Sequence, residues 1–244
     1  MPEPYELTDP SLNPRPNAFG QPIGKPVPDW AGCQRLPDVE LSGRTCRVVP
    51  YRPEHATALF GAYAADDGRM WTYMPFGPFD DAAQLHASIM DYQKNKGFHT
   101  FVILADGHAL GHLSYLRYDL VNGSVEVGGV SFSPALQRST VATEAQYLMI
   151  KHAFDHGYRR YEWKCDQLNG PSNRAALRLG FQFEGIFRNA VVRSGHRRDT
   201  CWYAVIVEDW PAVRTRLEAW LDPANFDVDG MQSQPLRTMP TPNR

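Results

Sequence analysis

The chain has 244 residues, of which 43% are hydrophobic, and this size suits one α/β domain with a single core better than two small domains. A formal net charge of -2 argues against nucleic acid and anionic membranes as partners, because both select a basic protein face. The four cysteines show no C-x-x-C spacing and are too sparse for a disulfide scaffold, which favours a reducing compartment.

The N-terminal residues differ in composition from the rest of the chain. They hold neither a basic segment nor a long apolar one, and no later stretch approaches membrane length, so we predict a soluble cytoplasmic protein. Closely spaced prolines up to Pro28 exclude a regular helix, while Phe19 and Trp30 are apolar anchors that a free tail would not need. We therefore predict a docking arm over residues 1–40, one folded domain over residues 41–222 and a C-terminal tail over residues 223–244.

Apolar periodicity and turn residues predict alternating strands and helices from residue 44 onward. The predicted strands are Arg44 to Tyr51, His99 to Leu104, Ala109 to Leu116, Ser124 to Phe132, Tyr161 to Asp166, Phe183 to Val192 and Arg197 to Ile206. The predicted helices are Pro53 to Ala65, Asp80 to Asn95, Thr140 to His156, Pro171 to Leu179 and Trp210 to Leu221. Asp106-Gly107 and Asn122-Gly123 are hairpin turns that indicate an antiparallel meander. The helical crossover after the fourth strand should be right-handed, so strands four and five lie side by side and parallel in a mixed sheet.

An anion-binding junction is predicted where the strand that ends at Phe132 turns into the helix that opens at Thr140. Backbone N–H groups in the first turn of a helix lack intrahelical partners and carry the positive end of the helix dipole, so they can bind a diphosphate. Small residues at most positions from Ser139 to Thr143 allow close approach. A second loop-to-helix junction follows at residues 166–173.

Together these segments resemble the GNAT superfamily of acetyl-CoA-dependent N-acetyltransferases, and most closely its ribosomal-protein-alanine acetyltransferase branch. The motifs that carry the resemblance are Gln137-x-x-Thr140-x-Ala142, Asn169-x-x-Ser172 and Leu179-Gly180-Phe181-x-x-Glu184-Gly185. One departure is that Thr140 stands where the family's phosphate loop has its first glycine. The implied fold is α/β of the mixed α+β kind, the GNAT-type acyl-CoA N-acyltransferase fold. Its mixed, mostly antiparallel seven-stranded sheet is splayed between strands four and five and flanked by helices, and residues 41–222 would form this acetyltransferase domain.

The resemblance also implies which residues hold acetyl-CoA as the co-substrate. The backbone near the end of strand four would take the thioester carbonyl and the pantetheine, and a bulge is expected there at Gly128-Gly129. The implied coenzyme residues are Val130, Ser131, Phe132, Gln137, Arg138, Ser139, Thr140, Val141, Ala142, Thr143, Asn169 and Ser172. No metal is predicted, since acetyl transfer does not require one. His152 and His156, one helical turn apart, lack a third ligand and are interpreted as surface or dipole-satisfying histidines.

For the proton acceptor the resemblance points to Glu126, because some family members carry a catalytic glutamate at this position of strand four. Alternate strand residues share a face, so Glu126 is expected in an apolar row with Val130 and Phe132, where desolvation would raise its pKa. The alternatives are a solvent-facing carboxylate or one paired with an arginine. Further carboxylate candidates on the next strand are Glu162 and Asp166.

The leaving thiolate needs a stabilising group or a proton donor. Many GNAT enzymes use a tyrosine four residues before the glycine of Leu-Gly-Phe, but that position here is Ala176. The resemblance passes the role to Ser172, and the alternative is that Ser172 only caps its helix. Asn169 would offer a donor and an acceptor to the pantetheine amides.

Aromatic residues between the first two helices form the candidate acceptor site. The family uses this region to cover the acceptor, although the same aromatic side chains could fill the core. We expect a mixture in which Trp71 and Tyr73 face the acceptor, together with Glu126, and Phe76 and Phe79 turn inward.

We therefore predict an acetyl-CoA-dependent N-acetyltransferase that works by direct transfer to a primary amine. The amine is either the α-amine of a peptide N-terminus or that of a small amino compound. The alternative, kept open by Thr140 and Ala176, is a non-catalytic acyl-CoA-binding or regulatory module of the same fold. No nucleic acid or membrane partner is expected, and a homodimer is left open.

Overall fold

The computed structural model describes residues 15–239, which divide into two compact units that join in sequence between residues 32 and 33. The described part of the first unit is a small antiparallel ribbon of β1 (Arg15–Pro16) and β2 (Pro22–Ile23). The Asn17 side chain closes the ribbon by accepting hydrogen bonds from the backbone N–H groups of Phe19 and Gln21. The domain limits expected at residues 40 and 222 stay predictions.

An eight-stranded sheet organises the described part of the second unit, in the order β3-β4-β5-β6-β7-β8-β10-β9. Its strands are β3 (Leu41–Ser42), β4 (Arg47–Pro50), β5 (His99–Ala105), β6 (His108–Asp119), β7 (Ser124–Phe132), β8 (Arg160–Asp166), β9 (Gln182–Arg193) and β10 (His196–Ile206). Neighbouring strands are antiparallel except β7 and β8, which are parallel because a helix connects them. The predicted mixed α/β fold is confirmed. All seven predicted strands are present, and β3, too short to show a periodicity, adds the eighth.

Within residues 15–239, five α-helices cover the two faces of the sheet. They are α1 (His55–Tyr63), α2 (Ala82–Lys96), α3 (Thr140–Asp155), α4 (Gly170–Leu179) and α5 (Trp210–Leu221). The larger core lies between α3, α4, α5 and one sheet face, where Met149 and Leu217 belong to the same cluster as Val127. A smaller core lies under α1 and α2, where Leu85 clusters with Val102 of β5. No helix in this part of the chain combines the length and apolarity that a bilayer crossing requires.

Strands β7 and β8 separate partway along their length. They pair as far as Val127 and Trp163, and the pairing stops there although β7 continues to Phe132. Just beyond this point Gly129 has φ of +58°, a conformation that glycine adopts readily, and the register between β6 and β7 shifts by one residue. The expected splay and the expected bulge are both present.

The bulge changes which side chains of β7 share a face. Before it, Val125 and Val127 enter the core under α3, and after it Val130 and Phe132 pack against that same core. The expectation that Glu126 shares a row with Val130 and Phe132 is therefore wrong. The extra residue shifts the alternation by one position, and Glu126 lies on the opposite face, the one that α1 and α2 cover.

Candidate active site

The first turn of α3 leaves backbone donors unused. Ser139 caps the helix, because its Oγ accepts a hydrogen bond from Ala142 N–H (3.0 Å) and donates one to the Leu136 carbonyl (2.6 Å). In the part of the chain that the structure describes, the N–H groups of Thr140 and Val141 have no partner. They lie at the positive end of a 16-residue helix and can hold an anion.

Other residues predicted to hold the coenzyme are engaged within the chain. The Ala142 N–H belongs to the helix cap, where it donates to Ser139 Oγ, and its predicted contact with the coenzyme stays a prediction. The Gln137 side chain donates to the Phe132 carbonyl (2.9 Å) and stabilises the turn between β7 and α3. Arg138 is exposed in that turn with φ of +61°. The coenzyme roles of Gln137 and Arg138 stay predictions.

Arg178 of α4 brings a cation to this junction, which the motifs do not indicate. Its Nη1 donates to the Thr143 hydroxyl in the first turn of α3 (3.0 Å), and its guanidinium lies 5.0 Å from the centre of the Trp220 ring. Burial lowers the pKa of Arg178, and Arg216 lowers it further, so a bound anion would stabilise this cation. The only sequence signal for it is a basic residue in the last turn of α4.

The second predicted junction places Ser172 against β8. Asn169 caps α4, because its Oδ1 accepts from Ser172 N–H (3.1 Å), so the alternative in which Ser172 is the cap is wrong. The Ser172 hydroxyl accepts from the Trp163 indole N–H (3.0 Å), which leaves its own proton available to donate. The Asn169 side-chain oxygen thus already accepts a hydrogen bond. The predicted contact of Asn169 with pantetheine stays a prediction, and its side-chain N–H group would make it.

Asn173, absent from the sequence candidates, organises the loop between β8 and α4. Its Nδ2 donates to the carbonyls of Gln167 (3.1 Å) and Asn169 (2.9 Å). Its Oδ1 accepts from the Tyr203 hydroxyl (2.6 Å) and from the Cys165 thiol (3.1 Å). The side chain therefore fixes the loop that presents Ser172.

Glu126 is both buried and ion-paired, whereas the sequence analysis treated a desolvated carboxylate and a paired one as alternatives. Its Oε2 lies 2.8 Å from Lys164 Nζ and 3.5 Å from Arg117 Nε, and 6% of the residue is exposed. Burial raises the pKa of Glu126, while Lys164 and then Arg117 oppose that shift. Its Oε1 lies 3.4 Å from the position that a Cβ on Gly128 would occupy. Leu116 Cδ2 lies closer still to that position, at 2.8 Å, so the absence of a side chain at Gly128 lets Leu116 pack beside this oxygen.

Lys164 is a third residue that sequence reasoning missed, after Arg178 and Asn173. Its Nζ bonds Glu126, contacts Glu162 (2.9 Å) and lies 3.5 Å from the centre of the Trp202 ring. Only 8% of its side chain is exposed. The pairing of β8 with β7 and β10 brings these groups together, so the sequence alone carries no signal for the cluster.

Most of the aromatic segment packs against the core under α1 and α2, as expected for Phe76 and Phe79 but not for Trp71. Trp71 is 7% exposed and packs edge to face against Tyr63 (5.4 Å) and Phe79 (5.2 Å), so it fills the core. Phe76 and Phe79, expected to turn inward, line a small cavity over β5 and β6. The other residues that line it are Leu85, Ser88, Ile89, Tyr92, Phe98, Thr100, His112 and Ser114. Trp71 is therefore a core-packing residue, and Phe76 packs against it (6.1 Å between ring centres).

A buried histidine forms part of the cavity floor. His112 is 3% exposed, and its Nδ1 lies 2.7 Å from the Tyr63 hydroxyl, which is also 3.2 Å from the Ser131 carbonyl. Burial lowers the pKa of His112 to about 4, so the imidazole is neutral at physiological pH. This network ties the backbone just after the β7 bulge to α1.

Two hydrogen bonds link Tyr73 to the β8–α4 loop and to the end of β9. Its hydroxyl donates to the Leu168 carbonyl in the β8–α4 loop (3.1 Å), and its own carbonyl accepts from Arg193 Nη1 at the end of β9 (2.6 Å). Its predicted contact with the acceptor stays a prediction. The residues that the structure describes include no group of three histidine, cysteine or acidic side chains arranged for a metal ion.

Comparison with known proteins gives matches over most of this domain. A family model described as an acetyltransferase (GNAT) domain matches residues 46–182. The crystal structure of a GCN5-related N-acetyltransferase from Brucella melitensis is 36% identical with a TM-score of 0.83, covering 86% of this chain and 98% of that one.

Two curated relatives match over shorter stretches. The uncharacterized N-acetyltransferase YnaD of Bacillus subtilis (strain 168) is 29% identical over 151 residues, which are 59% of this chain and 84% of YnaD. The ribosomal-protein-serine acetyltransferase of Escherichia coli (strain K12) is 29% identical over 109 residues, 44% of this chain and 60% of that protein.

Proposed function

The chain belongs to the GNAT acetyltransferase family and is an acyltransferase, and we propose that it transfers the acetyl group of acetyl-CoA directly to a primary amine. The acceptor would be a peptide N-terminal α-amine or the amine of a small compound. The name of the ribosomal-protein-serine relative favours the peptide, and the name of YnaD leaves both open.

One observation carries the proposal: β7 and β8 part after Val127 and Trp163, and β7 is followed by the first turn of α3, where the N–H groups of Thr140 and Val141 have no partner among the described residues. The free N–H groups of Thr140 and Val141, with Arg178 beside them, suit the diphosphate of acetyl-CoA. The gap between the strands would admit the pantetheine arm. Acetyl-CoA, held in this way, supplies the acetyl group in activated form as a thioester.

The residues of the cleft suit proton removal by Glu126. Its Oε2 is held by Lys164, and its Oε1, beside Gly128 and Leu116, has no hydrogen-bond partner among the described residues, so this oxygen would take a proton from the acceptor ammonium. The raised pKa matches the carboxylate better to that task than an ordinary glutamate. Ser172, whose hydroxyl is oriented by the Trp163 indole, would donate a hydrogen bond to the departing thiolate.

The cysteine nearest the site supports direct transfer over a covalent enzyme intermediate. Cys165 is buried, and burial raises the pKa of its thiol to about 11, so almost none of it is the nucleophilic thiolate at neutral pH. The thiol donates a hydrogen bond to Asn173 Oδ1.

A non-catalytic acyl-CoA-binding module is the second candidate. Two observations favour it: Glu126 is already ion-paired, and Ala176 stands where the resemblance to GNAT enzymes implies a tyrosine.

Thiol release separates the two candidates. The purified chain is incubated with acetyl-CoA and either peptides with free N-termini or small amines, and the acetylated product is identified by mass. We expect free thiol to appear only with a free amine, and a peptide of identical sequence with a blocked N-terminus is the control. Tight binding of acetyl-CoA without amine-dependent thiol release from either panel would favour the binding module.

A further inference from the structure

A largely buried guanidinium on β10 has no hydrogen-bond partner among the described residues. Arg198 has 14% of its side chain exposed, and its Nε is fully enclosed without a partner. Its closest charged contact is Asp166 Oδ2, 3.9 Å from that Nε, which is too far for a hydrogen bond. A guanidinium carries five donors, and enclosing the Nε donor without a partner is unfavourable, so this geometry points to a missing acceptor.

Asp166 does not fill that role. Its Oδ1 accepts the backbone N–H of Leu168 (2.9 Å), so the carboxylate is turned toward its own loop. Only the longer contact of Oδ2 remains for Arg198.

A second guanidinium makes the local charge unbalanced. Arg193 uses Nη1 to donate to the Tyr73 carbonyl (2.6 Å), and its remaining donors have no partner in the described part of the chain. Burial lowers the pKa of Arg193, and the proximity of Arg198 lowers it further. Two guanidinium groups thus share one carboxylate, Asp166, and an additional anion would relieve their mutual repulsion.

The pair lies on the same sheet face as Glu126. On β10, Trp202 lies beneath Lys164, whose Nζ bonds Glu126, and alternate residues place Arg198 on that face too. Four residues separate Trp202 from Arg198, which at about 3.3 Å per residue corresponds to about 13 Å along the strand. An anion bound at Arg198 would therefore lie apart from the reacting amine, but one acceptor molecule could span both positions.

We propose that Arg193 and Arg198 form a binding site for a carboxylate carried by the acceptor. The inference rests on the proposed acetyl transfer to an amine, and it names the class of acceptor as an amine that also bears a carboxylate. The planar guanidinium fork matches a carboxylate in two parallel hydrogen bonds. Side chains at both ends shorten the distance of about 13 Å between the two positions, so two or three residues of extended peptide would bridge it. The carboxylate is then an acidic side chain near the N-terminus or the C-terminus of a short peptide.

Matched peptide pairs test the site and distinguish the two sources. The first pairs carry Glu or Gln at the second or third position and end in an amide. The last pair is one tripeptide with a free or amidated C-terminus. The measurement is kcat/KM for each peptide with acetyl-CoA. We expect the carboxylate member of at least one pair to be preferred about 10- to 100-fold, in line with the strength of hydrogen bonds to charged groups.

Arg198→Met should reduce that preference to near unity. Loss of a merely structural residue would lower kcat/KM for both members of a pair and leave their ratio intact, so the ratio is the decisive quantity. Arg197→Gln is the matched control, because Arg197 is an exposed neighbour paired with Asp199 and lies outside the proposed site. Its ratio should equal the parent's. If Arg198→Met does not fold, Arg193→Met supplies the same test.

Three results would overturn the carboxylate site while leaving acetyl transfer in place. They are acetylation with no preference in any pair, a preference that survives both arginine substitutions, and a loss confined to acetyl-CoA affinity. One further case is binding of the carboxylate without acetylation. Calorimetric titration with the same peptides in the presence of CoA detects it. Arg198-dependent binding of the carboxylate peptides without any acetylation would support the site and contradict the proposed reaction.

Discussion

The Glu126 carboxylate and the Lys164 ammonium lie 2.8 Å apart, and 8% of each side chain is exposed. Burial raises the pKa of Glu126, and this effect prevails over Lys164 and Arg117, which lower it. Lys164 also contacts Glu162 (2.9 Å), so one buried cation serves two carboxylates. Glu126 therefore keeps its proton to a higher pH than an ordinary glutamate and has a cation beside it once it ionises.

Glu126→Gln should lower kcat/KM by about 10²- to 10⁴-fold, the usual contribution of a general base. In the parent enzyme the basic form is lost as pH falls through the raised pKa of Glu126, so kcat/KM should fall on the acid side. The glutamine variant should lack that limb. The measurement is kcat/KM against pH from about 5 to 10. Parallel profiles within a few-fold of each other would remove Glu126 from the mechanism.

Lys164→Met should move the acid limb of kcat/KM to higher pH. Lys164 lowers the pKa of Glu126, so its removal leaves burial and Glu162 to raise that pKa further. Breaking a buried pair should also reduce the free energy of unfolding, by about 3–5 kcal/mol. Arg117→Gln, which removes a cation that is 64% exposed and 3.5 Å away, should shift the limb in the same direction but less. An unshifted limb in both variants would contradict this role.

Thr140→Pro should weaken acetyl-CoA binding about tenfold or more by deleting one backbone donor. Proline is tolerated at the first position of a helix, and Ser139 before it is extended with ψ of 164°, so the helix should remain intact. Thr140→Ala is the control, since it removes the hydroxyl and keeps the N–H. The measurement is the Kd of acetyl-CoA, with thermal unfolding as a check. Equal Kd values for the two variants would argue against backbone recognition of the diphosphate.

Ser172→Ala should lower kcat by about 10²- to 10³-fold, the effect of deleting one donor to developing negative charge. Trp163→Phe keeps the Ser172 hydroxyl but removes the indole that orients it, so its loss should be smaller. Steady-state kinetics with saturating acetyl-CoA give both values. A Ser172→Ala enzyme with the parent's kcat would show that the thiolate leaves without this residue.

Trp71→Ala and Tyr73→Phe should separate packing from acceptor use. Trp71 fills the core under α1, so its truncation should reduce the free energy of unfolding by about 3–5 kcal/mol in denaturant titrations. Tyr73→Phe loses one hydrogen bond to the Leu168 carbonyl and should lower kcat/KM for the acceptor about 2- to 10-fold, with the Kd of acetyl-CoA unchanged. A fall in acetyl-CoA affinity instead would assign Tyr73 to the coenzyme loop.

The fold was largely predictable because its signals are local. Short apolar runs bounded by turn residues mark β5 to β7, the Asp-Gly and Asn-Gly turns set their antiparallel order, and Ser139 stands directly before the helix that it caps. The motifs located both loop-to-helix junctions. Strand β3 has two residues, which are too few to show a periodicity in the sequence.

The site was less predictable because it depends on contacts between distant residues. Lys164 meets Glu126 only through the parallel register of β7 and β8, and Arg178 reaches Thr143 only through the packing of α4 against α3. Trp71 was assigned to the acceptor because composition cannot tell which aromatic side chains of a loop turn inward. The cap at Ala142 likewise follows from a side-chain rotamer that the motif does not encode.

The bulge at Gly129 divides β7 into two stretches whose side-chain alternation is out of phase. In a scan of every substitution along the strand, the positions intolerant of polar residues should be odd-numbered before Gly129, at Val125 and Val127, and even-numbered after it, at Val130 and Phe132. A deletion of one residue at the bulge would bring the two stretches into phase and keep Val130 and Phe132 on the core side. A replacement of Gly129 that removed the bulge but kept the residue count would instead turn the last residues of the strand over. It should therefore be more damaging than the deletion, because it exchanges the coenzyme-side and acceptor-side surfaces of the strand end.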